Sequence, residues 1–252
     1  MLYAHRGLEV IEVKFTGLRE RLQILDRLER DQLPFAAAAA LTGTAQEVKI
    51  ALVGEMNSVF DRPTRWTLNS LFVDPATKGS MSARVWMKDK VPGSGGTPAT
   101  EWLAPEIYGG PRSEKRSETM LSGSNRLPAG KYIMPGRGMK LDAYGNISRG
   151  AMNKILSGLG AQQDKYANST DSRRSIGNLK RYFIIKKGNR PLGIAERTGK
   201  GKDGMRMVIA FGRRPQYSKR LDFFGVAERV AKDRLPVQFE LAMARALATM
   251  RR

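Results

Sequence analysis

The 252-residue chain has 44 Lys and Arg against 24 Asp and Glu, a formal charge of +20, and it has no cysteine. The absence of cysteine excludes disulfides, thiolate metal ligands and thiol catalysis, and no stretch approaches the roughly 20 apolar residues of a membrane span. A surplus of this size makes the folded chain repel itself, so we expect a partner of opposite charge. Nucleic acid is the most direct candidate, and charge that only keeps the protein dispersed is the alternative.

The N-terminal part of the chain contains one predicted strand followed by helices. Residues Leu8–Phe15 alternate between polar and apolar side chains, as in a half-buried strand. Residues Leu18–Leu28 place leucines at helical spacing on one face. The longest periodic segment follows Pro34, which can open a helix without losing a hydrogen bond, and it predicts a helix over Phe35–Phe60. Four of its apolar residues are predicted to make core or subunit contacts: Leu41, Val48, Leu52 and Met56.

The middle of the chain combines a hairpin with two loop-rich regions. Thr67–Val73 and Met81–Met87 are β-like, and the turn sequence between them predicts a hairpin. Residues 90–141 and 162–178 are rich in Gly, Pro or polar side chains and are predicted to be loop-rich insertions. Ile147–Leu159, between them, has helical spacing. We therefore expect a single domain over residues 1–252.

The C-terminal part changes to strands and then to helices. Three short apolar runs between residues 182 and 211 predict an antiparallel meander. Two helices are predicted after it, Phe223–Asp233 and Pro236–Met250. These elements predict an α+β fold, in which a long N-terminal helix and C-terminal helices pack on antiparallel sheet with extended loops.

The positive charge is concentrated late in the sequence. Arg173–Arg234 contains about 18 basic and 5 acidic residues, and paired basic residues flank the ends of the predicted strands. Contacts with phosphates are favoured over base stacking, because Phe183 and Phe211 lie in apolar runs that are expected to fill the core. The predicted contacts with nucleic acid or an acidic partner are Arg173, Arg174, Lys180, Arg181, Lys186, Lys187, Lys200, Lys202, Arg213, Arg214, Lys219 and Arg220.

The sequence contains none of three common enzyme motifs. It lacks the HExxH zinc pair, the GxxxxGK[ST] phosphate loop and the GxSxG elbow. The glycines at Gly93–Gly96 do not join a strand to a helix, as a phosphate-binding loop would. We expect no catalytic residues, no cofactor and no metal.

Four stretches together resemble a known class of proteins. They are the small-residue helix Pro34–Met56, the aromatic-proline turn and strand in Val59–Val73, the helical Gly150–Gly160, and the strand-rich Arg181–Phe211. In layout the chain resembles the tail-completion and minor-tail-protein-Z type of tailed-bacteriophage proteins. Residues Lys90–Leu141 have no counterpart in that layout.

The resemblance implies a structural virion protein at the neck or head-proximal end of the tail. Such a protein oligomerises around the DNA channel as a ring, contacts other neck and tail proteins, and resides in the host cytoplasm during assembly. We expect no membrane partner, and the basic residues would contact either the DNA backbone or an acidic neighbouring subunit. The alternative is a stand-alone protein that binds nucleic acid without sequence preference.

Overall fold

The computed structural model of the chain describes residues 2–5, 10–14, 32–89, 97–201 and 204–250. The fold is α+β, as predicted from the sequence. The helices of these residues are α1 (Gln32–Val59), α2 (Arg65–Leu68), α3 (Ala99–Tyr108), α4 (Arg116–Gly123), α5 (Arg149–Gly158), α6 (Ile176–Leu179) and α7 (Phe223–Met250). The strands are β1 (Leu2–His5), β2 (Val10–Lys14), β3 (Leu71–Asp74), β4 (Ser82–Met87), β5 (Gly110–Pro111), β6 (Tyr132–Pro135), β7 (Tyr182–Lys187), β8 (Arg190–Arg197), β9 (Met205–Gly212) and β10 (Gln216–Tyr217).

The chain divides into two compact units, where the sequence predicted a single domain. Residues 1–109 and 218–252 form the first unit, and residues 110–217 form the second. Each unit has its own four-stranded antiparallel sheet and its own hydrophobic core. The region after residue 110 was predicted to be loop-rich because of its Gly and Pro content, yet it folds on itself around a separate core.

The first unit is built on the helix pair α1 and α7 and on the sheet β1–β2–β4–β3. Helix α1 buries its apolar face against β3 and β4, where Leu52, Met56 and Val85 are fully buried. Strands β3 and β4 pair antiparallel and form the predicted hairpin. Leu41, Val48, Leu52 and Met56 all lie in this core.

The C-terminal helix is continuous, so the prediction of two separate helices was wrong. Pro236 lies inside α7 and was expected to open a new helix. Both halves pack on the same partner, since Ala227 contributes to the core under α1 and Ala242 and Ala246 are buried against Ala36 and Ala40. This shared packing on α1 keeps the helix continuous, although Pro236 cannot donate its backbone hydrogen bond.

The second unit packs α4 and α5 against one face of the sheet β6–β9–β8–β7. Its core contains Leu121, Ile155, Ile194 and Ile209, each at most 1% exposed. Strands β7, β8 and β9 form the predicted antiparallel meander. Strand β6 extends the sheet on the side of β9, although its segment was predicted to be a loop.

The predicted loop over residues 162–178 contains helical turns, at Lys165–Ala167 and in α6. Short polar side chains replace an apolar core there. The Ser157 hydroxyl donates to the Ala167 carbonyl at 2.8 Å, and the side-chain amide of Asn178 donates to the Lys154 carbonyl at 3.1 Å. Polarity therefore predicted a loop where side-chain hydrogen bonds support turns. The predicted helix Leu18–Leu28, residues 90–96 and Lys202 lie outside the described residues.

Candidate nucleic-acid interface

The positive charge belongs almost entirely to the second unit. Residues 110–217 contain 23 Lys and Arg against 7 Asp and Glu, a surplus of 16. The first unit contains the remaining 21 Lys and Arg against 17 Asp and Glu, a surplus of 4. The basic surplus of the sequence is therefore a property of one folded unit, and that unit is the candidate interface.

Two arginines of the first unit that belong to the basic stretch Arg173–Arg234 are paired within that unit. The Arg220 guanidinium pairs with Glu106 at 2.9 Å, and Arg234 pairs with Glu47. The hydrogen bond from Arg234 lowers the pKa of the Glu47 carboxyl, with a second hydrogen bond from Gln238 acting in the same direction. The part of Arg173–Arg234 that follows residue 217 therefore belongs to a nearly neutral unit rather than to the basic one.

The register of the second sheet separates its basic residues into two groups at opposite ends. Tyr182 pairs with Glu196, and Glu196 pairs with Arg206, which defines the Glu196 end. Lys187 pairs with Arg190 at the turn between β7 and β8, which defines the Lys186 end. Strand β7 has six residues, so about 17 Å separates the two ends.

The structure does not bring all the predicted contact residues together. Lys180, Arg181 and Lys200 lie at the Glu196 end, and Lys186, Lys187, Arg213 and Arg214 lie at the Lys186 end. Arg173 and Arg174 are exposed in the turn before α6. Lys219 and Arg220 belong to the first unit, and Lys202 is not among the described residues.

A buried carboxylate organises the Glu196 end. Glu196 is only 5% exposed, although it lies in a strand near the edge of a basic surface. Its two carboxylate oxygens pair with different arginines: Oε1 lies 2.7 Å from Nε of Arg181, and Oε2 accepts from Nε of Arg206 at 2.8 Å. Burial, reinforced by the negative charge of Glu196, raises the pKa of the neighbouring Tyr182 hydroxyl. One glutamate thus fixes two guanidinium groups from adjacent elements.

A glycine-containing loop runs closely over β9 beside this cluster. The Gly136 and Gly138 amides donate to the carbonyls of Val208 and Met207, both at 2.9 Å. A Cβ at Gly136 would overlap the Met207 carbonyl, and a Cβ at Gly138 would lie 2.7 Å from Cβ of Arg206. Only glycine allows this approach, so the pair positions the loop against Arg206.

A second buried carboxylate lies beside β6, an edge strand of this sheet. Glu118 in α4 is fully buried and accepts both terminal nitrogens of Arg112 at 2.7 and 2.6 Å. It also accepts the Lys115 and Ile133 amides at 2.7 and 2.8 Å. Burial alone would raise the pKa of Glu118, but Arg112 and the two amides together lower it below the usual range. This network fixes α4 to β6, which borders β9.

Sequence reasoning did not single out Arg206 or Glu196. Arg206 stands alone between two methionines, so a search for paired basic residues passes over it. Glu196 is one acidic residue in a basic stretch, and its importance depends on burial that the strand pattern does not reveal. The available signal was a charged residue two positions after the apolar Ile194, on the same face of β8.

No protein-family model, curated protein or solved structure matches the chain. Within the described ranges, no group of three or more His, Cys, Asp or Glu is arranged to hold a metal ion. No helix of the described residues is both long and apolar enough to cross a membrane.

Proposed function

We propose that this chain is a structural virion protein of a tailed bacteriophage. In this proposal it occupies the neck or the head-proximal end of the tail and oligomerises around the DNA channel. The division of charge between the two units is the observation that carries the proposal. A ring around DNA needs one surface for neighbouring copies and another for phosphates, and a chain with one nearly neutral unit and one strongly basic unit supplies both.

The first unit offers surface for subunit contacts. Phe35 and Ile50 on α1 are 54% and 70% exposed, and Leu241 and Leu247 on α7 are 47% and 44% exposed. Phe35 and Ile50 border one groove together with the exposed Ala39 and the loop after β3. Exposed apolar side chains grouped along a groove are typical of protein interfaces. We assign this groove to a neighbouring copy, in keeping with the oligomer that the resemblance implies.

The second unit offers surface for the DNA backbone. Its basic side chains at both ends of the sheet are largely exposed, and the proposal gives them no base-specific role. Contacts of this kind neutralise phosphates and hold a duplex without reading its sequence. The proposal includes no catalytic step and no cofactor.

The alternative function is that of a stand-alone, sequence-independent nucleic-acid-binding protein. The surplus of 16 positive charges in residues 110–217 favours it, because such a unit can bind DNA without the first unit. The two functions differ in solution. A free DNA-binding protein is a monomer or dimer that binds duplex with steep salt dependence, whereas a virion component accumulates in particles and self-associates.

Quantitative mass spectrometry of purified phage particles, from cells that carry this gene, tests the proposal. The chain should be present at a fixed ratio to the tail proteins and at more than one copy per particle. Its absence from particles, combined with tight duplex binding by a soluble monomer, would favour the alternative. Its absence from particles without DNA binding would contradict both.

A further inference from the structure

The Glu196 end of the second sheet contains a cavity of about 500 Å³. It lies between β8 and β9, the loop that follows Gly138, and the first turn of α5. Four cationic side chains from four segments of the unit line it: Lys140, Lys154, Arg181 and Arg206. Tyr182 and Met139 supply part of its wall.

The two arginines are held in place while part of each guanidinium stays available. Both use Nε to pair with Glu196, at 2.7 and 2.8 Å. Their terminal nitrogens form no hydrogen bond with the described residues, and about half of each side chain is exposed. Glu196 therefore reduces the orientational freedom of two planar donor groups that border one cavity. A ligand bound there loses less freedom in ordering them.

The lysines add charge that no neighbouring carboxylate neutralises. Lys140 and Lys154 are exposed and form no ion pair with the part of the chain that the structure describes. The second carboxylate of the cavity, Asp142, accepts the Tyr144 and Asn146 amides at 2.9 Å each and closes its own turn. Four cations thus face two carboxylates, both of which already have partners.

The first turn of α5 adds to the positive charge around the cavity. Ser148, Gly150 and Ala151 line the cavity, and Ser148 begins the ten-residue helix by accepting the Ala151 amide at 3.3 Å. The N-terminal end of a helix carries partial positive charge. This contribution is secondary to the four side chains, but it adds to the positive potential of the cavity.

We propose that this cavity binds a phosphate group, and that in the assembled protein the group is a phosphate of the DNA backbone. Two prearranged guanidiniums with free terminal nitrogens, joined by two ammonium groups, match a tetrahedral anion with several acceptor oxygens. The inference deepens the proposed function, since it rests on the second unit meeting DNA. It locates one contact at the Glu196 end and adds Lys140, Lys154, Arg206 and the positioning residue Glu196 to the residues predicted from the sequence.

A neighbouring cavity lacks these features. It lies beside the C-terminal end of α5 and is lined by Arg126 and Lys186 among mainly apolar residues. The Arg126 Nε already donates to the Leu159 carbonyl at 3.0 Å. Basic residues alone therefore do not distinguish the proposed site from the rest of the unit. The arrangement around Glu196 does.

Duplex binding by two variants with the same loss of charge tests the proposal. The cavity variant is Lys154→Gln with Arg206→Gln, and the control is Arg116→Gln with Lys165→Gln, two exposed residues that neither line the cavity nor lie at the Lys186 end. Affinity for a fluorescein-labelled 20-bp duplex of arbitrary sequence is measured by anisotropy between 50 and 300 mM NaCl. Thermal melts of all three proteins confirm that they fold.

The cavity variant should lose at least about tenfold in affinity at the lowest salt, since it removes charge-assisted contacts with a bound phosphate. Its plot of log K against log salt should become shallower by about one, the value expected for one lost phosphate contact. The control should lose less than about threefold. Equal losses in the two variants would overturn the proposal, because only the overall charge would then matter.

Broadening of the ³¹P resonance of inorganic phosphate, at constant ionic strength, tests the cavity without DNA. The wild-type protein and the control should broaden the signal, and the cavity variant should not. Phosphate broadening without duplex binding would keep the phosphate site and assign it to a small phosphorylated ligand. Displacement of the duplex by poly-glutamate, with no effect of phosphate, would overturn the proposal in favour of an acidic protein partner. None of these outcomes depends on whether the chain occurs in particles.

Discussion

The two units of this chain differ in how far acidic residues balance their basic ones. The first matches its 21 basic residues with 17 acidic ones and pairs several of them within the unit, as Arg234 of α7 does with Glu47 of α1. The second has 23 basic residues and only 7 acidic ones, and two of those acids, Glu118 and Glu196, are buried as organisers of arginines. These two carboxylates position arginine side chains and, being buried, do not neutralise the exposed surface. That difference suggests a unit built for assembly and a unit built to meet an anion.

The largest expected effect is on the core of the first unit. Leu52→Asp places a carboxylate at a position with no exposed surface and should cost more than about 4 kcal/mol, which abolishes soluble expression. Ile50→Asp on the same helix is the control, since Ile50 is 70% exposed. It should leave the thermal melt nearly unchanged while reducing self-association. Normal folding of Leu52→Asp would contradict the account of the helix-based core.

The buried carboxylate of the second unit should give the next largest effect. Glu118→Gln replaces an acceptor of four N–H groups and leaves the Arg112 charge without its counter-ion, so we expect a loss of about 3 kcal/mol. Urea unfolding, followed by near-ultraviolet circular dichroism, measures it. The exposed Glu114→Gln is the matched control and should change stability by less than about 0.5 kcal/mol.

The stability lost in Glu118→Gln should depend on pH. The pKa of Glu118 is lowered in the folded protein, so its stabilising effect is complete above the pKa of an unfolded glutamate, about 4.3. That stability is lost as the pH falls through the lower folded-state value. The difference in unfolding free energy between wild type and Glu118→Gln should therefore be constant from pH 8 to pH 5 and should shrink below about pH 4. A difference that grows on acidification would contradict the assigned direction.

A smaller effect is expected where the loop passes over β9. Gly136→Ala would drive a Cβ into the Met207 carbonyl, and relief of this overlap should cost about 2 kcal/mol. Gly123→Ala, at the end of α4 with open space around it, should leave stability unchanged or raise it by about 0.5 kcal/mol. Because the loop also leads to Lys140, Gly136→Ala should weaken phosphate binding. Equal stability of the two variants would contradict the close approach.

The smallest effect on stability is expected at the Lys186 end. Replacement of Lys186, Lys187, Arg213 and Arg214 by glutamine should leave the melting temperature unchanged, because these side chains are exposed. Duplex affinity should fall and its salt dependence should become shallower, with a smaller loss per charge than in the cavity variant. Particles that assemble normally but retain DNA poorly would support a DNA contact. Failed assembly would indicate a protein interface, and no change at all would mean that these charges only face solvent.

The sequence predicted the elements with strong periodicity. The spacing of Leu41, Val48, Leu52 and Met56 predicted α1, and the apolar runs predicted the meander of β7, β8 and β9. Such patterns succeed because burial of one face dictates the period of apolar residues. Pro236 misled the prediction of α7, since tertiary packing on α1 outweighs one lost backbone hydrogen bond.

The candidate site was predictable only in part. The basic stretch pointed to the second unit, but the linear sequence also included Lys219 and Arg220, which fold into the first. The cavity brings together Lys140, Lys154 and Arg206 from segments far apart in the chain. Only the registers of β8 with β7 and with β9 show that Glu196 lies between two arginines. Spacing along a sequence does not encode such a convergence, because it depends on the pairing of distant strands.

Ultraviolet crosslinking of purified particles, followed by mass spectrometry of the DNA-linked peptides, tests the central claim most directly. The account predicts that the chain is present in the particle, that its DNA-linked peptides fall within residues 110–217, and that protein–protein crosslinks between copies fall in residues 32–89 and 218–250. Crosslinks to DNA that map mainly to the first unit would contradict the division of roles between the units. Absence of the chain from particles would contradict the proposed virion function.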